Sequence, residues 1–209
     1  MELKTFVKGP IDANNYLLID ENSKDAILID CSSPDDEYIE EIKKLDVNLK
    51  MILLTHGHFD HILGCNNFKK AFNCDIYVGE EDIEQIEYAP EMTMILGGVR
   101  IPEVTSVNKT VKDGDVFKLG DIELKAIHTS GHTKGGMCYQ SNDGKLFSGD
   151  TMFHGSVGRT DFIGGDFEAI KHSVKDILFK LPDDTTVYTG HGAKTTIKFE
   201  KQFNEINNM

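Results

Sequence analysis

The sequence predicts an α/β protein in which two β-sheets share one domain. Short apolar runs rich in β-forming residues alternate with helical patterns through the first half. The second half turns strand-rich, with tight-turn signals between its apolar runs. No linker, low-complexity segment or solenoid-period repeat divides the 209 residues, so one domain spanning 1–209 is expected.

Taken in order, Asn15–Ile19 and Ala26–Ile29 read as strands, separated by the polar turn cluster Asp20–Asp25. Ser33 and Pro34 predict a helix start, with Ser33 as the cap, Pro34 in the first turn and acids following at the positive end of the dipole. Ile39, Ile42 and Leu45 supply that helix with an apolar stripe. A third strand runs from Lys50 to Leu54 and ends at Thr55. Further helices are expected near 61–72, 80–87, 167–180 and 195–205. In the second half, Asp113-Gly114, Leu119-Gly120 and Asp143-Gly144 set off strands over 116–119, 122–128, 137–140 and 145–148. The stretch 88–103, with Pro90, Met92, Met94 and Gly97-Gly98, has no clear period and is expected as either a flap over a site or an irregular connection.

Composition narrows the function classes. The chain is 39% hydrophobic and 27% charged, enough to bury an ordinary core, and its formal net charge is −13. That charge argues against a nucleic-acid partner or a polybasic membrane-surface role, both of which need a positive face. No apolar run approaches the ~20 residues of a bilayer span, and the opening residues lack the apolar stretch of a signal peptide, so a cytoplasmic location is expected. Cys31, Cys65, Cys74 and Cys138 show no metal-site spacing and are expected as small buried hydrophobes. Eight histidines against two arginines is the odd count.

That excess concentrates in Thr55-His56-Gly57-His58-Phe59-Asp60-His61, immediately after the third strand. Histidines two apart on an extended chain point to the same side, so His56 and His58 can grip one ion from one face. Asp60 continues the alternation, and His61 turns away where a helix begins. One such cluster cannot complete two coordination spheres. Later imidazoles and carboxylates in matching contexts can: His132 in Ser-Gly-His-Thr, Asp150 in Ser-Gly-Asp-Thr and His191 in Thr-Gly-His-Gly, each after a β-type run and a glycine. The string His128-Thr-Ser-Gly-His132 offers two registers, and the Gly-His-Thr context favours His132.

These motifs, with Asn14-Asn15-Tyr16-Leu17, Ile29-Asp30, Gly149-Asp150-Thr151-Met152-Phe153, Gly158-Arg159-Thr160-Asp161 and the segment from Tyr188 to Ile197, resemble the metallo-β-lactamase-fold hydrolases. Within that superfamily the chain most resembles the short glyoxalase II-like (hydroxyacylglutathione hydrolase-like) proteins. The resemblance implies a four-layer αββα sandwich of two mixed sheets flanked by helices. It assigns His56, His58 and His132 to one metal, Asp60, His61 and His191 to a second, and Asp150 to both. Two divalent ions are implied, zinc by default, with iron or manganese possible at a mixed imidazole and carboxylate site. Asp30 resembles the family's buried acid behind the cluster, His128 is a second supporting or substrate-facing candidate, and Arg159 offers a guanidinium fork for a substrate carboxylate unless it pairs with Asp161 or Asp166. His154, four past Asp150, could face the cleft, and His172 lies on an expected helix surface.

The implied reaction is hydrolysis of an acyl-thiol substrate, a thioester or similar activated acyl compound, by a metal-bridging hydroxide, with Asp60 as ligand and orienting carboxylate. A persulfide dioxygenase-like oxygenase holding one iron with His56, His132 and Asp150 is the rival, followed by a lactonase or other ester hydrolase of the same superfamily. The chain departs from glyoxalase II in carrying eighteen residues after His191, so the C-terminal helical substrate domain is expected to be absent and glutathione is not assured as the thiol.

Overall fold

A computed structural model describes residues 1–209, apart from the side chains at 96 and 97. The chain runs β1 (Glu2–Lys8), β2 (Ala13–Ile19), β3 (Asp25–Ile29), α1 (Asp36–Lys43), β4 (Asn48–Leu53), α2 (Phe59–Ile62), α3 (Cys65–Phe72), β5 (Asp75–Gly79), α4 (Ile83–Gly97) and β6 (Lys109–Val111). It continues through β7 (Val116–Leu119), β8 (Ile122–His128), β9 (Met137–Ser141), β10 (Lys145–Gly149), α5 (Phe167–His172), β11 (Thr186–Thr189), β12 (Thr195–Thr196) and α6 (Ile197–Phe203).

The first sheet has the order β1-β2-β3-β4-β5-β6 and the second β12-β11-β10-β9-β8-β7. Both are mixed. In the first, β1 to β3 are antiparallel neighbours and β3 to β6 parallel ones. In the second, β7 to β10 are antiparallel, β10 and β11 parallel, and β11 and β12 antiparallel.

The period-2 alternation of a strand explains the layers. All of β2 is buried, yet its side chains divide between two cores. Tyr16 and Leu18 join Ile27, Ile29 and Leu53 against Leu124, Tyr139 and Phe147 of the second sheet, which makes the inter-sheet core. Leu17 and Ile19 point the other way, onto Tyr38 and Ile42 of α1 and Phe68 of α3. The second sheet repeats the division: Ala126 faces inward, whereas Ile127, Leu146 and Val187 pack under Ile170, Val174, Leu178 and Ile197. A strand buried on both faces needs cover on both, and that produces helix, sheet, sheet, helix. The expected αββα sandwich is the observed architecture.

Several boundaries differ from the sequence expectation. α1 starts two residues late, because Ser33 Oγ donates to Asp35 Oδ2 and accepts from the Asp35 amide instead of capping the helix. The helix expected over 61–72 is two pieces. Gly64 lies between them against the β3–α1 turn, where an added Cβ would sit 2.3 Å from Ser33 O and 2.5 Å from Cys31 Sγ. The stretch 88–103 is helical as far as Gly97, with Pro90 inside α4 and Thr93 Oγ1 donating to Pro90 O. Its period is hidden because α4 carries apolar residues both inward, at Ile86, Ala89 and Met92, and outward, at Met94 and Ile95. Thr195 and Thr196 pair with β11 before α6 begins, and Thr196 Oγ1 accepts from the Phe199 amide as the cap. All four cysteines are buried and free. Among the described residues no helix is long and apolar enough to cross a membrane.

Candidate metal centre

The site forms where β3, β4, β10 and β11 end. β4 stops at Leu53, and the chain bends at Thr55 and reaches His58 in extended backbone before α2 begins at Phe59. His58, Asp60 and His61 therefore leave the chain in quick succession toward one point. Asp150 follows β10, and His191 follows β11, where Gly190 permits contact: a Cβ there would lie 2.1 Å from Asp150 Oδ1.

Hydrogen bonds set the orientation of each ring. Asp30, with φ of 61°, accepts from the Thr55 amide at 2.7 Å, from Thr55 Oγ1 at 2.8 Å and from His61 Nδ1 at 2.8 Å. His61 Nε2 consequently faces Asp60 Oδ2 at 3.3 Å and Asp150 Oδ1 at 3.4 Å. Thr55 Oγ1 spends its proton on Asp30 and is left to accept from His56 Nδ1 at 3.1 Å, which makes His56 Nε2 the lone-pair nitrogen. His132 Nδ1 donates to Arg159 O at 2.7 Å, so its Nε2 is likewise a lone pair; it meets His58 Nδ1 at 2.9 Å. His191 Nε2 lies 3.0 Å from Asp60 Oδ2 and 3.7 Å from Asp150 Oδ2.

Three sets of ligand atoms converge, each set within 4.8 Å: His56, His58 and His132; His56, His61 and Asp150; Asp60, His61 and His191. Within the middle set, His56 Nε2, His61 Nε2 and Asp150 Oδ1 are buried without a hydrogen-bond partner. Leaving such groups unpaired costs about 1–3 kcal/mol each, so a built cluster of them implies a ligand they coordinate. The donor set of imidazoles and carboxylates, with no thiolate, fits divalent ions of the zinc, iron or manganese type.

Charge points the same way. Burial drives His56 well below its ordinary value, and burial together with His132 takes His58 to about 3, so both rings are neutral donors. For His61 burial also opposes the charged form, but Asp30, Asp60 and Asp150 outweigh it and raise the ring well above its ordinary value. His191 is raised against burial by Asp60 and Asp150. Asp60 and Asp150 resist burial and stay ionised, mainly through His61. The carboxylates thus favour positive charge in the pocket, which bound cations would supply.

Other expected residues sit elsewhere. His128 Nε2 lies 2.8 Å from Lys134 O, and the residue is not among those lining the cleft. His154 packs against Phe199, with ring centroids 4.5 Å apart, and does not line the cleft. His172 is exposed beside Asp176. Arg159 does line the cleft, but its guanidinium is forked on Asp161 at 2.6 and 2.7 Å, while Asp166 instead caps α5.

Two supporting residues were not assigned from sequence. Asp82 accepts from the Gly57 amide at 2.9 Å, from Thr133 Oγ1 at 2.8 Å and from the Gly135 amide at 2.6 Å, tying the loop of His56 and His58 to that of His132. In sequence it closes the run Glu80-Glu81-Asp82, which reads as a solvated helix start. Asn14 Nδ2 donates to Thr189 O and Gly192 O, bracketing His191.

Comparison with known proteins decides the family, since the model for the metallo-β-lactamase superfamily matches residues 9–191. The chain belongs to the metallo-β-lactamase superfamily. It is 35% identical to the hydroxyacylglutathione hydrolase GloC of Haemophilus influenzae, over 93% of this chain and 92% of the relative. Among solved structures, the BLEG-1 B3 metallo-β-lactamase superposes with a TM-score of 0.91 at 30% identity, covering 98% of each chain. TTHA1623, solved in a di-iron-bound form, superposes with a TM-score of 0.87 at 30% identity over 97% of this chain and 98% of that one. By family the chain is a metallo-hydrolase, of enzymes that act on small molecules, and its relatives include both a hydroxyacylglutathione hydrolase and a β-lactamase.

Proposed function

We propose that this chain is a dinuclear metal-dependent hydrolase that cleaves a thioester, in a single domain spanning 1–209. His56, His58 and His132 would hold one divalent ion, Asp60, His61 and His191 would hold the other, and Asp150 would serve both. The observation that carries the reading is the set of buried, unpartnered donors His56 Nε2, His61 Nε2 and Asp150 Oδ1, facing one another where the two groups of ligands meet. The likeness to a hydroxyacylglutathione hydrolase supports thioester chemistry.

When bound, the ions would supply Lewis acidity toward the carbonyl and lower the pKa of water toward ~7. The protein's own groups do the rest. Asp60, ionised and directed into the centre by His61 and His191, accepts a hydrogen bond from the attacking water and aims its lone pair at the carbonyl carbon. Asp30 fixes the ring of His61, and the Arg159 carbonyl fixes that of His132. The C–S bond breaks, and the departing thiolate, with an ordinary pKa near ~8.5, takes its proton from solvent. No serine or cysteine nucleophile is needed, and the four cysteines lie buried in the cores.

The test is metal quantification alongside a panel headed by S-lactoylglutathione, with a β-lactam and a persulfide included. Two ions per chain and thioester turnover are expected, and both are lost in His58→Ala and Asp60→Ala. Full activity after exhaustive chelation would sink the proposal. Oxygen uptake on the persulfide with a single iron, or faster lactam than thioester hydrolysis, would replace it.

A further inference from the structure

The metal centre opens into a cavity of about 800 Å³, at the larger end of the range for a small-molecule site. Its floor is His58, Asp60, His132, Asp150 and His191. Its walls are a different kind of surface. Ile11 comes from the β1–β2 turn, Leu63 follows α2, Met92 lies on α4, Val99 and Ile101 follow α4, and Phe162 arrives from the opposite side. Ile11 and Val99 remain 54% and 67% exposed at the mouth, so the apolar lining continues out to solvent.

Positive charge is nearly missing from those walls. Among the described residues lining the cavity, Arg159 alone carries a permanent positive charge. Its Nε and one Nη donate to Asp161, and its guanidinium carbon lies over the Phe162 ring, 3.8 Å from the centroid. Phe162 in turn stands edge-on to His58, with centroids 5.9 Å apart. Phe162 therefore adds an aromatic ring beside the metal floor, and the cation of the lining is ion-paired with Asp161.

Resting on the thioesterase reading above, we infer that this cavity selects an uncharged, apolar acyl group, aliphatic of medium length or aromatic, rather than the charged thiol half of the substrate. A thioester has its carbonyl at the floor and two arms. Carrier thiols hold carboxylates, phosphates or ammonium groups to make them water-soluble, and such groups lodged against these walls would be desolvated without a partner. An apolar acyl chain loses nothing there and leaves water. The acyl arm thus fills the cavity and the thiol arm leads outward to solvent. One water adds across the C–S bond, so the products are an apolar carboxylate, a free thiol and one proton.

The test is a series of thioesters of one small thiol, acetyl, butyryl, hexanoyl, octanoyl and phenylacetyl, compared with S-lactoylglutathione on the metal-loaded protein. We expect kcat/KM to rise about threefold to fourfold per methylene, the partition preference of a buried CH2, so that hexanoyl exceeds acetyl by about 50-fold or more. Val99→Asp and Ile101→Asp should each lower the hexanoyl-to-acetyl ratio at least fivefold. A second measurement needs no metal and no turnover: binding of neutral octanamide and of acetamide to chelated protein by calorimetry, with octanamide expected to bind at least tenfold more tightly. A flat acyl series, or S-lactoylglutathione as the best substrate, overturns this inference and leaves the thioesterase reading intact. If no thioester turns over, the thioesterase reading and the inference resting on it fall together, even where octanamide binds. If octanamide does not bind preferentially, the inference falls whatever the turnover.

Discussion

Asp30 and Asp82 show how much of this site depends on side chains that would never touch an ion. Asp30 spends its two oxygens on three donors, all belonging to the strand-end segment that carries His56, His58 and His61. Asp30→Asn can still accept from Thr55 but cannot hold His61 Nδ1–H with a charge. Metal affinity should fall about 10- to 100-fold, as for other partners of ligating histidines, in a competition titration with a chelator. Asp82 is buried and accepts from both ligand-bearing loops, and burial raises its carboxyl above the ordinary range. Asp82→Ala strands two buried amides, Gly57 N and Gly135 N, and should cost about 2–6 kcal/mol in denaturant unfolding, at ~1–3 kcal/mol per stranded donor. Asp82→Asn should recover part of that loss, because one oxygen still accepts. Equal stability of Asp82→Ala and wild type would show that the two loops are held by something else.

At the scale of elements, turns and close approaches govern where the ligands emerge. Gly64 ends α2 by packing on the β3–α1 turn, and a methyl group there meets Ser33 O and Cys31 Sγ inside contact distance. Gly64→Ala should therefore destabilise by about 1–3 kcal/mol, the usual range for overpacking, and lower Tm by several degrees. Asp20 in the β2–β3 turn performs a comparable task between sheets, accepting from Ser23 N within its own turn and from Asp121 N in the β7–β8 turn. The Asp121 amide, then Ser23, hold its carboxyl down at about 2. A depressed carboxyl contributes stability that is complete above its unfolded value of ~3.9 and disappears as pH falls through the folded one. The stability difference between wild type and Asp20→Asn should thus be constant from pH 7 to about 5 and shrink between about 4 and 2. A difference that stays constant down to pH 2 would contradict the assignment.

At the scale of the molecule, the site is a seam. His56, His58, Asp60 and His61 belong to the first sheet's edge, His132, Asp150 and His191 to the second's, and the inter-sheet core lies beneath them. Any ion held by both groups is a crosslink between sheets, and it also neutralises Asp60 and Asp150. Chelation should consequently lower Tm, by an amount that grows with the free metal concentration used in the reference sample, as mass action requires. The relation is lost if Tm is the same with and without chelator. The −13 net charge has little bearing on this centre, where local cations outweigh distant surface carboxylates screened by salt.

The sequence by itself determined the class of fold, the inner strands β2, β3, β4, β8, β9 and β10, and the motif containing the ligand candidates. Inner strands are legible because burial on both faces demands unbroken apolar runs such as Tyr16–Ile19 and Ala26–Ile29. The motif is legible because metal chemistry needs rare residue types at short spacing, as in His56 to His61. Edge strands such as β1 and β12 were not, since they bury little and carry ordinary polar residues. Only the tertiary structure decided that Arg159 is already paired, that His128 bonds Lys134 O, and that Asp82 joins Gly57, 25 residues before it, to Thr133 and Gly135, 51 and 53 residues after it. It also decided that residues from the β1–β2 turn, α4 and the loop around Phe162 meet as an apolar wall. The reason is physical: periodicity and spacing record what a residue's neighbours along the chain must be, whereas a lone acid or a scattered set of hydrophobes acquires its role from whatever folding brings against it.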